Sequence, residues 1–164
     1  MELGRILGLP AHPLLVHLPV MLVPLGALGA VLIVVSRRLR ARYGWLVVIV
    51  TAVALAGAQL AAGSGEAFEE ALGDRSDLLE RHTSLGDTFI WFAAALFVAA
   101  LAVMLLERRH ALTPADGVGW CMTGGVTAAI VSVIAVAAVV QVYRVGHTGA
   151  TVVWEEDGAA FDAG

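Results

Sequence analysis

The stretch "HPLLVHLPVMLVPLGALGAVLIVV", His12 to Val35, contains no Asp, Glu, Lys or Arg. A helix needs about 20 consecutive apolar residues to cross a hydrocarbon core, and this run supplies them. Three further stretches behave alike, from Gly44 to Gly65, Thr88 to Leu106 and Gly117 to Val142. The composition agrees, being 59% hydrophobic and 15% charged over 164 residues with a mean hydropathy of +0.85. These patterns predict an all-α, integral membrane four-helix bundle of up-down-up-down connectivity, with helices over about 12–36, 44–72, 76–107 and 116–143. One domain is expected, ending in an acidic, disordered tail over 155–164.

The leader "MELGRILGLP" lacks the form of a cleavable signal, so the first span is expected to remain. Lys is absent, and six of the ten Arg lie in two connections: Arg37, Arg38, Arg40 and Arg42 in the first, Arg108 and Arg109 in the third. By the positive-inside rule those connections face the cytoplasm and both termini are extracytoplasmic, with Trp45 and Trp120 at the inner interface. Six loop arginines beside a bilayer suit anionic lipid rather than nucleic acid. Cys121 has no partner for an internal disulfide and reads as a small apolar side chain. His110, in the basic third connection, reads as solvated or lipid-facing.

The first run also holds two histidines and three prolines. Pro19 and Pro24 each remove an N–H and leave the carbonyls of Leu15 and Val20 without their helical donors. That creates a polar niche, in which His17 is the deeper imidazole and His12 the one expected at the headgroups. Register extends the argument. A first hairpin centred near Arg40 places His17 level with Gly63, and a second turning between Asp74 and Arg75 places Glu66 level with His82. His17, Glu66 and His82 then share one layer. The stripe Gln59, Gly63, Glu66 and Glu70 is expected to face the bundle, as is His82. Gly124 and Gly125 are expected to allow close helix contact. His147, between Gly146 and Gly149, is expected outside a regular helix, with Val152, Val153 and Trp154 folding back onto the interface.

Neutral imidazoles ligate haem iron and transition metals, and two imidazoles with a carboxylate form recurring metal sites. The leading expectation is a haem b or a transition-metal ion near the outer leaflet, in an electron-transfer or membrane-anchor subunit. His17, His82 and His147 are the candidate cofactor ligands, and His17, His82 and Glu66 the candidate metal ligands. His12, Gln59, Glu70 and Arg144 complete the polar niche. Partners are then the lipid bilayer, a redox partner or membrane complex, and a second copy of the chain. Two alternatives stand beside it: a proton or small-solute transport component, and a structural or assembly subunit without cofactor. No phosphate-cradling glycine loop, nucleophile elbow or zinc-protease motif is present, so independent catalysis is not expected.

The motifs "HPLLVHLP", "ERHTSLGD" and "VYRVGHTGA", in that order, resemble a bacterial family of membrane proteins catalogued as domain of unknown function 2231. The resemblance runs from about Leu9 to Trp154 and implies a four-helix integral membrane fold in bacteria, without implying a reaction; the cytoplasmic (inner) membrane is the expected location. The motif positions are His12, Pro13, His17, Pro19, His82, Gly86, Asp87, Tyr143, Arg144, Gly146, His147 and Gly149. Where relatives read "YRHG", this chain reads "YRVGH", which moves the exit histidine.

Overall fold

A computed structural model describes residues 5–6, 9–72, 77–112 and 117–161, with side chains over 12–66, 77–109, 124–152 and at Trp154. A two-residue antiparallel pair, β1 (Arg5–Ile6) and β2 (Leu9–Pro10), leads into five helices. These are α1 (Ala11–Leu15), α2 (His17–Val35), α3 (Arg37–Leu72), α4 (Asp77–Leu112) and α5 (Gly117–Phe161). The break between α1 and α2 falls at Val16, beside the Leu15 carbonyl that Pro19 cannot serve. The expected turn between Asp74 and Arg75 lies outside the described residues.

Four spans are long and apolar enough to cross a membrane: His12–Val35, Arg37–Glu66, Asp77–Arg109 and Gly124–Val152. The bundle is an inside-out solution to packing. Its core is largely alanine, with Ala27, Ala30, Ala54, Ala93, Ala100 and Ala138 nearly sealed, while Met21, Trp91 and Val133 are among the most exposed side chains. An apolar exterior around a core of small side chains is what lipid as solvent requires, because close van der Waals contact must replace the hydrophobic drive between helices. The chain is an integral membrane protein. In sequence order α2, α3, α4 and α5 form a ring, each packed on its two neighbours, with α2 and α4 also touching across the diagonal.

Three expectations are corrected. The first connection is a single residue, since Ser36, in extended conformation, ends α2 and its Oγ accepts the Leu39 N–H as α3 begins. Arg is a good helix former and no breaker precedes Gly44, so "RRLRARY" is helical. Arg40, expected at lipid headgroups, is instead buried: Nε donates to Glu107 Oε2 at 3.1 Å, and Nη1 donates to the carbonyls of Ile33 at 2.8 Å and Val34 at 3.4 Å, capping the C-terminal end of α2. Finally, α5 continues through Gly146, His147, Gly149 and Trp154 to Phe161, taking in 155–161 of the segment read as a tail. Gly124 and Gly125 are exposed, with nothing within 4 Å of an added Cβ.

Candidate functional site

The end of the bundle opposite Arg40 carries His12, His17, His82 and His147. His12, on α1, is half-buried against α3, its Nδ1 lying 3.0 Å from the Ala61 carbonyl and 3.2 Å from Ser64 Oγ. Ser64 itself is buried and donates its proton to that same carbonyl at 2.9 Å. A carbonyl only accepts, and the Ser64 proton is spent, so Nδ1 must carry the hydrogen. The neutral ring is then the Nδ1–H tautomer, with its lone pair on Nε2. The ring lies flush on Gly65, where an added Cβ would stand 3.1 Å from Cε1.

His82, on α4, repeats the arrangement against α5. Its Nδ1 lies 3.2 Å from Thr148 Oγ1. The Thr148 hydroxyl directs its one proton to the carbonyls of Arg144 at 3.0 Å and Val145 at 3.1 Å, so toward the imidazole it accepts. His82 is therefore also held as the Nδ1–H tautomer. Its ring lies on Gly149, where an added Cβ would come within 2.9 Å of Cε1. Below them, buried Gln141 of α5 donates from Nε2 to the Leu85 carbonyl and to Thr88 Oγ1, both at 3.1 Å.

This layer differs from the expected one. His17 is exposed, and its ring turns back onto its own helix, Nδ1 lying 2.6 Å from the Pro13 carbonyl across the α1–α2 break. Only His12 reaches α3. The reason is register: His12–Ser64, Gly26–Thr51 and Gly29–Val47 meet as pairs centred on Arg38, not near Arg40. Moving the centre by two residues moves every partner by about one helical turn.

Glu66 and Gln59 are exposed, as are Arg144 and His147, whose ring leans on Tyr143 at 5.7 Å between centroids. The inward stripe of α3 is Gly57, Ala58, Ala61 and Ser64, because close packing selects the small residues and leaves Gln59 and Glu66 outside. The Glu70 side chain lies outside the described residues. Among the described residues no three of His, Cys, Asp and Glu converge as metal ligands, so the trio His17, His82 and Glu66 is not assembled. Nor does the set His17, His82 and His147 come together, since His17 and His147 are exposed and only His82 is held between helices.

Arg40, Ser64, Gln141 and Thr148 were not singled out from the sequence as partners in this structure. One signal was there to be used, a hydroxyl residue followed by glycine near the histidine end of two helices, "SG" at 64–65 and "TG" at 148–149. No curated protein and no solved structure matches the chain. A family model described as "Predicted membrane protein (DUF2231)" covers residues 8–160. With the four spans and the histidine layer lying inside that range, the chain belongs to this family of predicted membrane proteins, domain of unknown function 2231.

Proposed function

We propose that this protein is a membrane subunit for electron transfer or anchoring that holds one transition-metal ion, bare or as the iron of a haem b, between His12 and His82. The observation that carries the reading is the tautomer of the two rings. Metal-ligating imidazoles characteristically donate Nδ1–H to a carbonyl or other acceptor, which fixes the ring and directs the Nε2 lone pair to the ion. Both rings have that form, at the same end of the bundle, one against α3 and one against α5. His17, His147 and Glu66 take no part in it. The histidine end faces the extracytoplasmic side of a bacterial cytoplasmic membrane, with the arginine end inside.

The test is an absorption spectrum of the purified protein with elemental analysis. A Soret band with a sharp reduced alpha band, or a stoichiometric metal, supports the reading; a folded, colourless, metal-free protein ends it. A second reading is favoured by one observation, that each Nδ1 already fastens two helices together. In it the imidazoles are purely structural clamps, and His12→Asn and His82→Asn, whose amides can approach the same acceptors, preserve partner association and stability. Transport is not favoured. Among the described residues the buried polar side chains are Arg40, Thr51, Ser64 and Gln141, each hydrogen-bonded within the bundle and none forming a continuous path.

A further inference from the structure

The chain uses one packing pattern twice, and the places where its two halves differ show what packing does not ask for. His12 meets Ser64 and lies on Gly65, as His82 meets Thr148 and lies on Gly149. Shifting the first span by 70 residues, from 12 to 82, carries buried Pro19, Val23, Gly26 and Ala30 onto buried Phe89, Ala93, Leu96 and Ala100. Shifting α3 by 84, from 64 to 148, carries buried Val47, Thr51 and Ala54 onto Val131, Ala135 and Ala138. In the ring, α2 and α4 stand on one diagonal and α3 and α5 on the other, so the two hairpins are related by an internal two-fold axis along the membrane normal. At the arginine end they part. The outer face of α3 carries Arg38, Arg42 and Trp45 at i, i+4 and i+7, one stripe of exposed side chains. The same shift puts Val126 and Ala129, equally exposed, in the places of Arg42 and Trp45. Packing therefore asks for neither the charge nor the indole.

Arg108 of α4 crosses to this stripe, its Cζ lying 5.1 Å from the centroid of the Trp45 ring. The contacts Arg40–Glu107 and Gly44–Met104 set the level of the two helices, and by that register Arg108 starts near the height of Arg40, about 8 Å outside Trp45. An arginine at a membrane surface ordinarily turns its guanidinium out to water. Arg108 turns inward because it lies near the C-terminal end of α4, where long side chains lean back toward the start of their helix and here that direction leads into the bilayer. Arg42 stands one turn outward of Trp45 on the same face, its Cβ about 5–6 Å from that of Trp45, and its Cζ lies 5.6 Å from the Tyr43 ring. Charge at this end is unbalanced. Over 36–46 and 102–109 there are six Arg and one acid, Glu107, which Arg40 holds. Arg38, Arg42, Arg108 and Arg109 meet no carboxylate among the described residues. At the histidine end the balance is reversed: the exposed charged side chains of the same two helices, among the described residues, are Glu66, Asp77, Glu80 and Asp87 against Arg81.

We propose that the arginine end of the α3–α4 face is a binding site for an anionic phospholipid, whose headgroup phosphate is taken by Arg108, seated on Trp45, with Arg42 beside it. A guanidinium stacked by its face on an indole presents its N–H edge to two phosphate oxygens, a geometry that a lysine ammonium does not offer. Below Trp45 the stripe of α3 continues as exposed Ile49, Val53 and Leu60, an apolar track for the acyl chain. Cation, indole and aliphatic side chains thus follow one another in the order of phosphate, glycerol and hydrocarbon. The unbalanced positive charge selects a lipid of net negative charge over a zwitterionic one. The site is independent of the histidine layer at the other end of the bundle.

The experiment titrates the full-length protein in detergent micelles with dioleoyl phosphatidylglycerol or dioleoyl phosphatidylcholine and reads bound lipid by native mass spectrometry, with far-UV circular dichroism to show that each variant is folded. The wild-type protein should prefer phosphatidylglycerol by about 25-fold, from about fivefold for each of Arg42 and Arg108. Arg42→Ala and Arg108→Ala should each lower that preference about fivefold, and the double variant should abolish it. Arg108→Lys and Trp45→Leu keep the charge but dismantle the stacked pair, and should each weaken phosphatidylglycerol binding about two- to fivefold, the worth of an exposed cation–π pair. Arg81→Ala, which removes an exposed arginine from the far end of α4, should leave the preference unchanged, and inorganic phosphate in excess should not displace the lipid. Equal binding of the two lipids by the wild-type protein overturns the site, as does a folded Arg108→Ala variant with undiminished preference. Full affinity in Arg108→Lys, or a loss in Arg81→Ala equal to that in Arg108→Ala, reduces the effect to diffuse charge and overturns the seat on Trp45. Displacement by inorganic phosphate overturns the assignment to lipid.

Discussion

The two glycines under the histidine rings make a stringent prediction, because alanine should act oppositely at neighbouring positions of the same helix. In a helix interior, Gly→Ala gains about 1 kcal/mol from backbone entropy alone. At Gly146 nothing lies within 4 Å of the added Cβ, so that gain should be realised. At Gly149 the Cβ would stand 2.9 Å from Cε1 and 3.3 Å from Nδ1 of His82. Restoring ordinary contact moves the ring by about 0.5 Å and stretches the 3.2 Å bond to Thr148 to about 3.7 Å, beyond hydrogen-bonding range.

Losing an interhelical bond inside a membrane protein costs about 0.6–1.7 kcal/mol, and overpacking adds about 1–3. Gly149→Ala should therefore be destabilising by about 1–3 kcal/mol net of the helix gain, while Gly146→Ala is stabilising. On α3 the same contrast holds more weakly, since Gly65 places its Cβ 3.1 Å from His12 Cε1 and Gly63 meets nothing. Detergent unfolding followed by far-UV circular dichroism measures both pairs. Equal stabilisation by Gly146→Ala and Gly149→Ala would show that the His82 ring is not seated on α5, and the clamp would have to be abandoned.

At the other end, Arg40→Met removes the donors to Ile33, Val34 and Glu107 and should cost about 2–4 kcal/mol by the same unfolding assay. Glu107→Gln should cost no more than about 1 kcal/mol, because its side chain is 39% exposed and Arg40 keeps both carbonyls. Gln141→Leu should lose about 0.6–1.7 kcal/mol, together with amide protection in the Leu85 turn by hydrogen exchange. His17→Gln should change stability by no more than about 0.5 kcal/mol, since its bond is local and exposed.

The spans were legible because lipid imposes a length and a composition that residue counting detects directly. The inner faces were legible only in part. His82 sits on an apolar stripe and does turn to a neighbouring helix, but on α3 the polar stripe Gln59 and Glu66 proved to be the outer face. In a core built of alanine and glycine, smallness marks the inward side better than polarity does, and a pattern search keyed to polar residues reads the wrong face. His12 and His17 were exchanged for a geometric reason. The register of the hairpin is centred on Arg38 and not on Arg40, and a two-residue error in the centre moves every partner by about a full helical turn. Arg40 was hidden by its neighbours. Four arginines in six residues look alike in sequence, and only the packing of α2 against α3 and α4 picks out the one whose guanidinium faces inward.

The internal two-fold separates what packing demands from what it does not. Two hairpins sharing a burial register need only small residues at matching heights, and the crossing below the histidines illustrates how loosely that constrains chemistry. In one half Gly57 brings α3 against Pro19, which has no N–H to give the Leu15 carbonyl. In the other half Gln141 reaches the corresponding Leu85 carbonyl with its amide. Position is shared there; chemistry is not. One layer outward both are shared, down to the nitrogen used, the hydroxyl that receives it and the glycine beneath the ring. Apolar side chains would have filled that layer without hydrogen-bond constraints, as they do throughout the core. A pair of equivalently oriented imidazoles, each fastened to the next helix through its Nδ1, is more than the packing of small side chains requires.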